Sequence, residues 1–269
     1  MKRTLRRPAM RSALDAAAIP TYAGPRPVAE RADALHIIQA PGRLPRGRRV
    51  YAIGDVHGHL ERLRTVHRMI ADDLTVRPVP NAVLVHLGDY IDQGPDSAGV
   101  LRHLAGLRLP GVQVVNLMGD HERMLLDAID GDRAAATDWL WAGGRGALAS
   151  WGLPQDLPRE VWAEAFPPEQ IDFLRGLVLM HQEGDYLFVH AGVRPGVALR
   201  DQAREDLLMI RQPFLASEAA FGAVVVHGHS SNPAVPILGN RIGLDTGAGI
   251  GGRLTCGVLE EDGIALMVG

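Results

Sequence analysis

The chain has 269 residues, 46% of them hydrophobic and 22% charged, with a formal net charge of −3, a balance that excludes a wholly disordered or collagen-like protein. No apolar run approaches the roughly 20 residues of a membrane helix, and no apolar stretch follows the basic start Met1-Lys2-Arg3 as a secretory signal requires. Cys256 is the sole cysteine, which excludes an internal disulfide and leads us to expect a reducing, cytoplasmic setting.

Taken in chain order, residues 1–48 read as a basic, proline-containing tail. Residues 1–49 hold 11 Lys and Arg against Asp15, Glu30 and Asp33, and a short helix near Ala32–Gln39 is the one periodic feature expected there. The acidic remainder argues against a nucleic-acid partner. From Arg49 the texture changes to short Val-rich runs, each closed by Gly or His beside an acid or imidazole. They are Val50–Ile53 before Gly54-Asp55, Ala82–Leu87 before Gly88-Asp89, Val112–Met118 before Gly119-Asp120, Tyr186–Val189 before His190-Ala191-Gly192, and Ala223–Val226 before His227-Gly228-His229. Such runs predict buried strands.

Helical stretches fall between the first three strands, at Leu60–Leu74 and Gly99–Leu107, and Glu122–Ile129 follows the third. Strand–helix–strand alternation predicts an α/β domain with mostly parallel pairing, spanning residues 49–269. Leu254–Glu260 and Ile264–Val268 predict a closing hairpin, and Pro158–Leu177 predicts a helical cap.

Ligand sites in α/β sheets form beyond the carboxyl ends of the strands. The five strand ends would therefore deliver Asp55, His57, Asp89, Asp120, His190 and His229 to one rim, with His121 beside them. Three carboxylates and three imidazoles without thiolate suit Mn, Fe or Zn, and six donors suit two metals better than one. Taken singly each piece is weak; five converging strand ends are not.

The blocks Gly54-Asp55-Val56-His57-Gly58, Gly88-Asp89-Tyr90-Ile91-Asp92-Gln93-Gly94 and Gly119-Asp120-His121-Glu122 resemble the signatures of phosphoprotein phosphatase-type metallophosphoesterases. Phe188–Gly192, His227–Ser230 and Asp245–Ala248 match that family's later motifs. The resemblance implies a single-domain sandwich of two mixed β-sheets flanked by helices. It implies that Asp55, His57 and Asp89 hold one divalent ion and that Asp120, His190 and His229 complete a second, with Asp89 bridging and Mn the first choice. A hydroxide bridging the ions would attack phosphorus, His121 would protonate the leaving oxygen, and Asp92 would orient His121. Arg211 would bind phosphate; Glu122 and Asp245 would support the ligands.

Phosphate-monoester hydrolysis is then expected, on phosphoserine or phosphothreonine in a protein partner or on a small phosphoester, with Asp92 and Pro95-Asp96-Ser97 favouring the protein phosphatase side. The alternatives are symmetrical dinucleoside tetraphosphate hydrolysis, or a weakly active member acting as a binding module. Two positions depart from the pattern: Gln93 stands where the family carries Arg, and Asp120 where it carries Asn. Loss of a charge-assisted contact to phosphate removes roughly 1.5–3 kcal/mol, so weaker handling of a dianionic monoester is expected, with Arg145 as a substitute phosphate contact. Trp139 and Trp141 are candidates to line a substrate groove or to pack in the core, and His86 is expected to be a hydrogen-bonded core residue.

Overall fold

A computed structural model of the protein describes residues 35–269. Its strands are β1 (Ile38–Gln39), β2 (Arg48–Ile53), β3 (Asn81–His86), β4 (Val112–Asn116), β5 (Met180–Glu183), β6 (Tyr186–Val189), β7 (Val224–His227), β8 (Ile237–Leu238), β9 (Arg241–Gly243), β10 (Asp245–Thr246), β11 (Arg253–Glu260) and β12 (Gly263–Val268). The helices that matter here are α1 (Leu60–Val76), α2 (Ser97–Gly106), α3 (Asp120–Ile129), α4 (Arg133–Trp139), α5 (Arg145–Ser150), α6 (Trp162–Ala165), α7 (Pro168–Arg175) and α8 (Arg204–Met209).

Two mixed sheets form. One runs β1-β12-β11-β2-β3-β4, with β10 added to β11; the other runs β5-β6-β7-β9-β8. The pairs β2–β3, β3–β4, β6–β7 and β7–β9 are parallel, and the hairpin β11–β12 is antiparallel. Alternation along each strand explains the layers. Val50, Ala52, Val83 and Val85 point to the space between the sheets, where Tyr186, Phe188, Val224 and Val226 meet them. The intervening Tyr51, Ile53 and Leu84 face the helices, against Leu63, Val66 and Ile70 of α1 and Val100, Leu101 and Leu104 of α2. Leu187, Val189 and Val225 cover the far side of the second sheet with Leu207, Ile210 and Phe214. Strands buried on both faces read as continuous apolar runs, which is why β2, β3, β6 and β7 are found as predicted; β4 is also a strand but, at the sheet edge, is only half-buried and not the buried strand expected.

The tail boundary needs correction. Residues 35–48 belong to the body: β1 pairs with β12, Leu44 N donates to Glu261 O, and Ala40 and Leu44 are buried. This segment docks through its backbone, so it has no apolar period to announce it. The helix expected near Ala32–Gln39 is absent over residues 35–39, where irregular chain leads into β1 (Ile38–Gln39), and residues 32–34, with the rest of the tail, lie outside the described residues.

His86 is fully buried and hydrogen-bonded as expected, but in a chain of three imidazoles: His103 Nε2 lies 2.9 Å from His67 Nδ1, and His67 Nε2 lies 2.9 Å from His86 Nε2. Burial pushes His86 down to about 3 and holds His67 and His103 below the ordinary imidazole value. Because the unfolded chain takes up protons first, at about 6.5, stability is full above that pH and falls below it, each such group costing about 1.4 kcal/mol per pH unit. His86→Leu is expected to lose about 2 kcal/mol less than the native chain between pH 6.5 and 5, read by urea denaturation at the two pH values.

Candidate metal centre

Every predicted donor lies just past a strand end. Asp55 and His57 follow β2, Asp89 follows β3, Asp120 opens α3 beyond β4, His190 follows β6 and His229 follows β7. The two sheets face each other, so donors from both meet. His190 Nε2 lies 3.0 Å from Asp120 Oδ1 and 3.4 Å from Asp89 Oδ1. His229 Nδ1 lies 3.1 Å from Asp120 Oδ1, while its backbone N–H donates to Asp55 Oδ2 at 2.9 Å. On the other side of Asp89, His57 Nε2 stands 3.6 Å and His121 Nε2 4.0 Å from Oδ2.

These contacts resolve into two groups whose donor atoms lie within 4.8 Å of one another: Asp89, Asp120, His190 and His229, and His57, Asp89 and His121. Asp89 is common to both. Asp55, expected beside His57 and Asp89, is buried; its Oδ2 accepts from His229 N and its Oδ1 has no hydrogen-bond partner. A carboxylate oxygen that no donor satisfies is what a cation would complete. Every donor is oxygen or imidazole nitrogen, and Cys256 is buried in β11, so the set fits a pair of divalent ions. The imidazoles are fixed for that role from behind: His57 Nδ1 lies 2.9 Å from Ile91 O and His190 Nδ1 2.8 Å from Leu87 O, which places a proton on Nδ1 and turns Nε2 toward the carboxylates.

The backbone is strained where these side chains leave it. Of the six non-glycine residues with positive φ among the described residues, five are here: His57 (44°), Asp89 (49°), Asp92 (70°), Gln93 (59°) and His229 (59°). Such angles cost energy and persist only when neighbours hold them. Glu122 is one holder. Its Oε2 accepts from the N–H groups of Asp89 (2.9 Å) and Gly119 (3.0 Å), and its Oε1 from Tyr90 (2.7 Å) and Ile91 (3.2 Å). Ser97 is another, its hydroxyl accepting from Asp92 N at 2.9 Å. Gly88 has a φ of 108°, and a side chain there would strike Gly119 and the His190 ring.

Charge is balanced among these groups. Burial, then Asp89, push Glu122 up to about 8, and burial with Asp245 and Asp89 raises Asp55. Burial would also raise Asp120, but hydrogen bonds from His190 and His229 hold it well below the carboxylate range. Burial opposes a charge on His121, yet Asp89 and then Asp92 push it up to about 10; its Nδ1 lies 2.7 Å from Asp92 Oδ2.

The other expected residues separate. Arg211 is exposed at the His229 loop, 3.4 Å from Ser230 Oγ. Gln93 is exposed beside Asp92. Arg145, expected at phosphate, sits 5.8 Å over the Trp141 ring. Trp139 is buried among Trp162 and Phe166 and is core, whereas Trp141 is 79% exposed. Arg194 braces a loop through Asp206, and Asp245 accepts from Ser231 Oγ and Gly247 N. His227 turns away onto Phe214. Glu122 was expected to support the ligands, but its four backbone partners, and the bond from Asp92 N to Ser97, had no sequence signal, since neither spacing nor residue type reveals which backbone N–H a side chain meets.

A two-sheet sandwich carrying paired oxygen and nitrogen donors at its strand ends defines a metallophosphoesterase. The profile of the calcineurin-like phosphoesterases matches residues 48–268, and the chain belongs to that family of phosphoester hydrolases. Among curated proteins it is similar to the symmetrical bis(5'-nucleosyl)-tetraphosphatases of Aromatoleum aromaticum, 31% identical over 55% of this chain and 45% of that protein. The same-named protein of Methylococcus capsulatus is 31% identical over 54% and 44%. The chain thus spans under half the length of these relatives. Among solved structures, a candidate diadenosine tetraphosphatase shares the fold at TM-score 0.59 and 22% identity, covering 82% of this chain and 93% of its own. A protein-tyrosine phosphatase of a psychrophilic Shewanella does so at 0.56 and 19%, covering 84% and 81%.

Glu122→Ala would leave four buried N–H donors without an acceptor, and a stability loss of at least about 3 kcal/mol is expected. Glu122→Gln, which keeps one acceptor oxygen, should lose less; urea denaturation of both variants checks the order.

Proposed function

We propose that this chain is a metal-dependent hydrolase of dinucleoside tetraphosphates, cleaving the central anhydride to release two nucleoside diphosphates. The observation that carries the hydrolytic reading is the double donor set sharing Asp89, with His121 held at its edge by Asp92. Substrate choice is supported by relatives named bis(5'-nucleosyl)-tetraphosphatase. The expectation of phosphoserine or phosphothreonine gives way to what had been its alternative. Its sequence support also dissolves into local structure, because Asp96 caps α2 by accepting from Gly99 N and Ser97 braces Asp92. A cytoplasmic setting is part of the proposal. Among the described residues no helix is long and apolar enough to cross a membrane.

Asp89, Asp120, His190 and His229 would hold one divalent ion, and His57 and Asp89, with Asp55 turning its free Oδ1, the other. When bound, such a pair supplies an activated water and offsets phosphoryl charge; Mn is the first choice and Fe or Zn the others. His121 Nε2 faces the shared Asp89 while Nδ1 is tied to Asp92, so His121 can deliver a proton to the departing oxygen and Asp92 can balance the charge left behind. The leaving group of a phosphoanhydride is a phosphate, whose conjugate acid is far stronger than a serine hydroxyl. That chemistry demands less of a site in which Gln93 replaces a phosphate-gripping arginine.

The test is a panel of diadenosine tetraphosphate, phosphopeptides, p-nitrophenyl phosphate and a phosphodiester, each assayed with Mn, Fe and Zn. ADP as the sole product of the tetraphosphate, abolished by EDTA and restored by metal, is the expected result. Faster turnover of phosphopeptides would restore the protein phosphatase reading, and no turnover with any metal would leave a binding module. His121→Asn is expected to lower kcat by at least about 100-fold, with a much smaller change in KM.

A further inference from the structure

Gln93 lies between two glycine turns. On one side is the wide turn Leu140–Gly144 joining α4 to α5. There Gly143 leaves helical geometry (φ 126°), and a Cβ added to it would stand 2.8 Å from Gln93 N. On the other side Gly249 packs so closely that a Cβ would overlap Gln93 Oε1 and the His57 ring. Each turn presents one large apolar side chain to solvent: Trp141 at 79% exposure and Ile250 at 77%, the two most exposed large hydrophobic residues among those described. Two exposed apolar side chains are thus carried by the turns that flank one exposed amide, directly after Asp92. Trp141 also carries the Arg145 guanidinium 5.8 Å from its ring centre.

We propose that Trp141 and Ile250 form a subsite for a purine nucleobase, with Gln93 reading its edge. This inference rests on the tetraphosphatase reading and names how that substrate is recognised. The chemistry selects the ligand. An indole face offers a flat surface on which a base stacks, and Ile250 supplies an aliphatic wall. A glutamine amide pairs one donor and one acceptor with the N6 and N7 edge of adenine. Arg145, already stacked on the indole, places a cation beside the phosphate chain that must run from the base to the metal centre. Its expected role at the phosphate is thereby tied to the ring rather than to the Gln93 position alone.

ADP and inorganic pyrophosphate share a diphosphate and differ by the nucleoside, so their relative affinity isolates the base. Isothermal titration of the full chain under identical metal conditions should show ADP binding more tightly than pyrophosphate. Trp141→Ala should reduce that preference by about tenfold, the scale of one base–aromatic stack, and Ile250→Ala by about threefold. Trp141→Phe should retain most of it. An ADP-to-pyrophosphate ratio unchanged within twofold in Trp141→Ala would overturn the subsite even if the native chain cleaves diadenosine tetraphosphate. Conversely, a Trp141-dependent preference in a chain that cleaves no tetraphosphate would uphold the subsite and reject the substrate reading.

Discussion

Asp55, Asp89, Asp92, Asp120, Glu122 and Asp245 are all buried at one edge of the sandwich, and the mutual repulsion of their carboxylates governs everything else about that edge. Charge of one sign removed from water must be paired or neutralised. Glu122 and Asp55 respond by rising above the carboxylate range, Asp120 by accepting from two imidazoles, and His121 by holding its proton to about pH 10. Imidazolium and divalent cation serve the same electrostatic purpose here. Metal binding at this rim would therefore release protons and depend on pH.

That concentration of charge requires a scaffold that brings residues 55 to 229 together and holds strained turns in place. The sandwich does both. Parallel strands in each sheet carry their carboxyl ends to a common rim, and the apolar layer between the sheets is made by alternate residues of the same strands that end in donors. His190 Nδ1 bonding to Leu87 O links one sheet's ligand to the other sheet's backbone, so packing and ligand geometry are fixed by the same contact. The positive φ angles at His57, Asp89, Asp92 and His229 are held by Glu122, Ser97 and tight glycine contacts, all supported by buried core.

Much of this was legible from sequence because it is local. A Val-rich run closed by Gly-Asp is a strand followed by a turn, and three such runs, with two more closed by His-Ala-Gly and His-Gly-His, predicted the strands and set the candidate donors at their ends. Three things were not legible. β1, two residues long, joins β12 through backbone hydrogen bonds that leave no pattern in side chains. How closely the donors gather around Asp89, and in which two groups, was another, because turn conformation and not order in the chain decides which atoms converge. The chain His103–His67–His86 joins three elements, and each histidine alone looked like an ordinary core or surface residue.

The departures at Gln93 and Asp120 take on a physical sense in this setting. Asp120 adds a negative charge, yet it accepts from both His190 and His229, so the added charge is spent in orienting two imidazoles. Gln93 is a neutral amide where the resembled family carries a cation, and it lies between the turns that carry Trp141 and Ile250. On the proposed reading, a site altered in this way would grip an isolated phosphate less strongly and have more to offer the organic part of its substrate. Discrimination would then shift from phosphate charge, common to all phosphoesters, toward shape and hydrogen bonding, which differ among them.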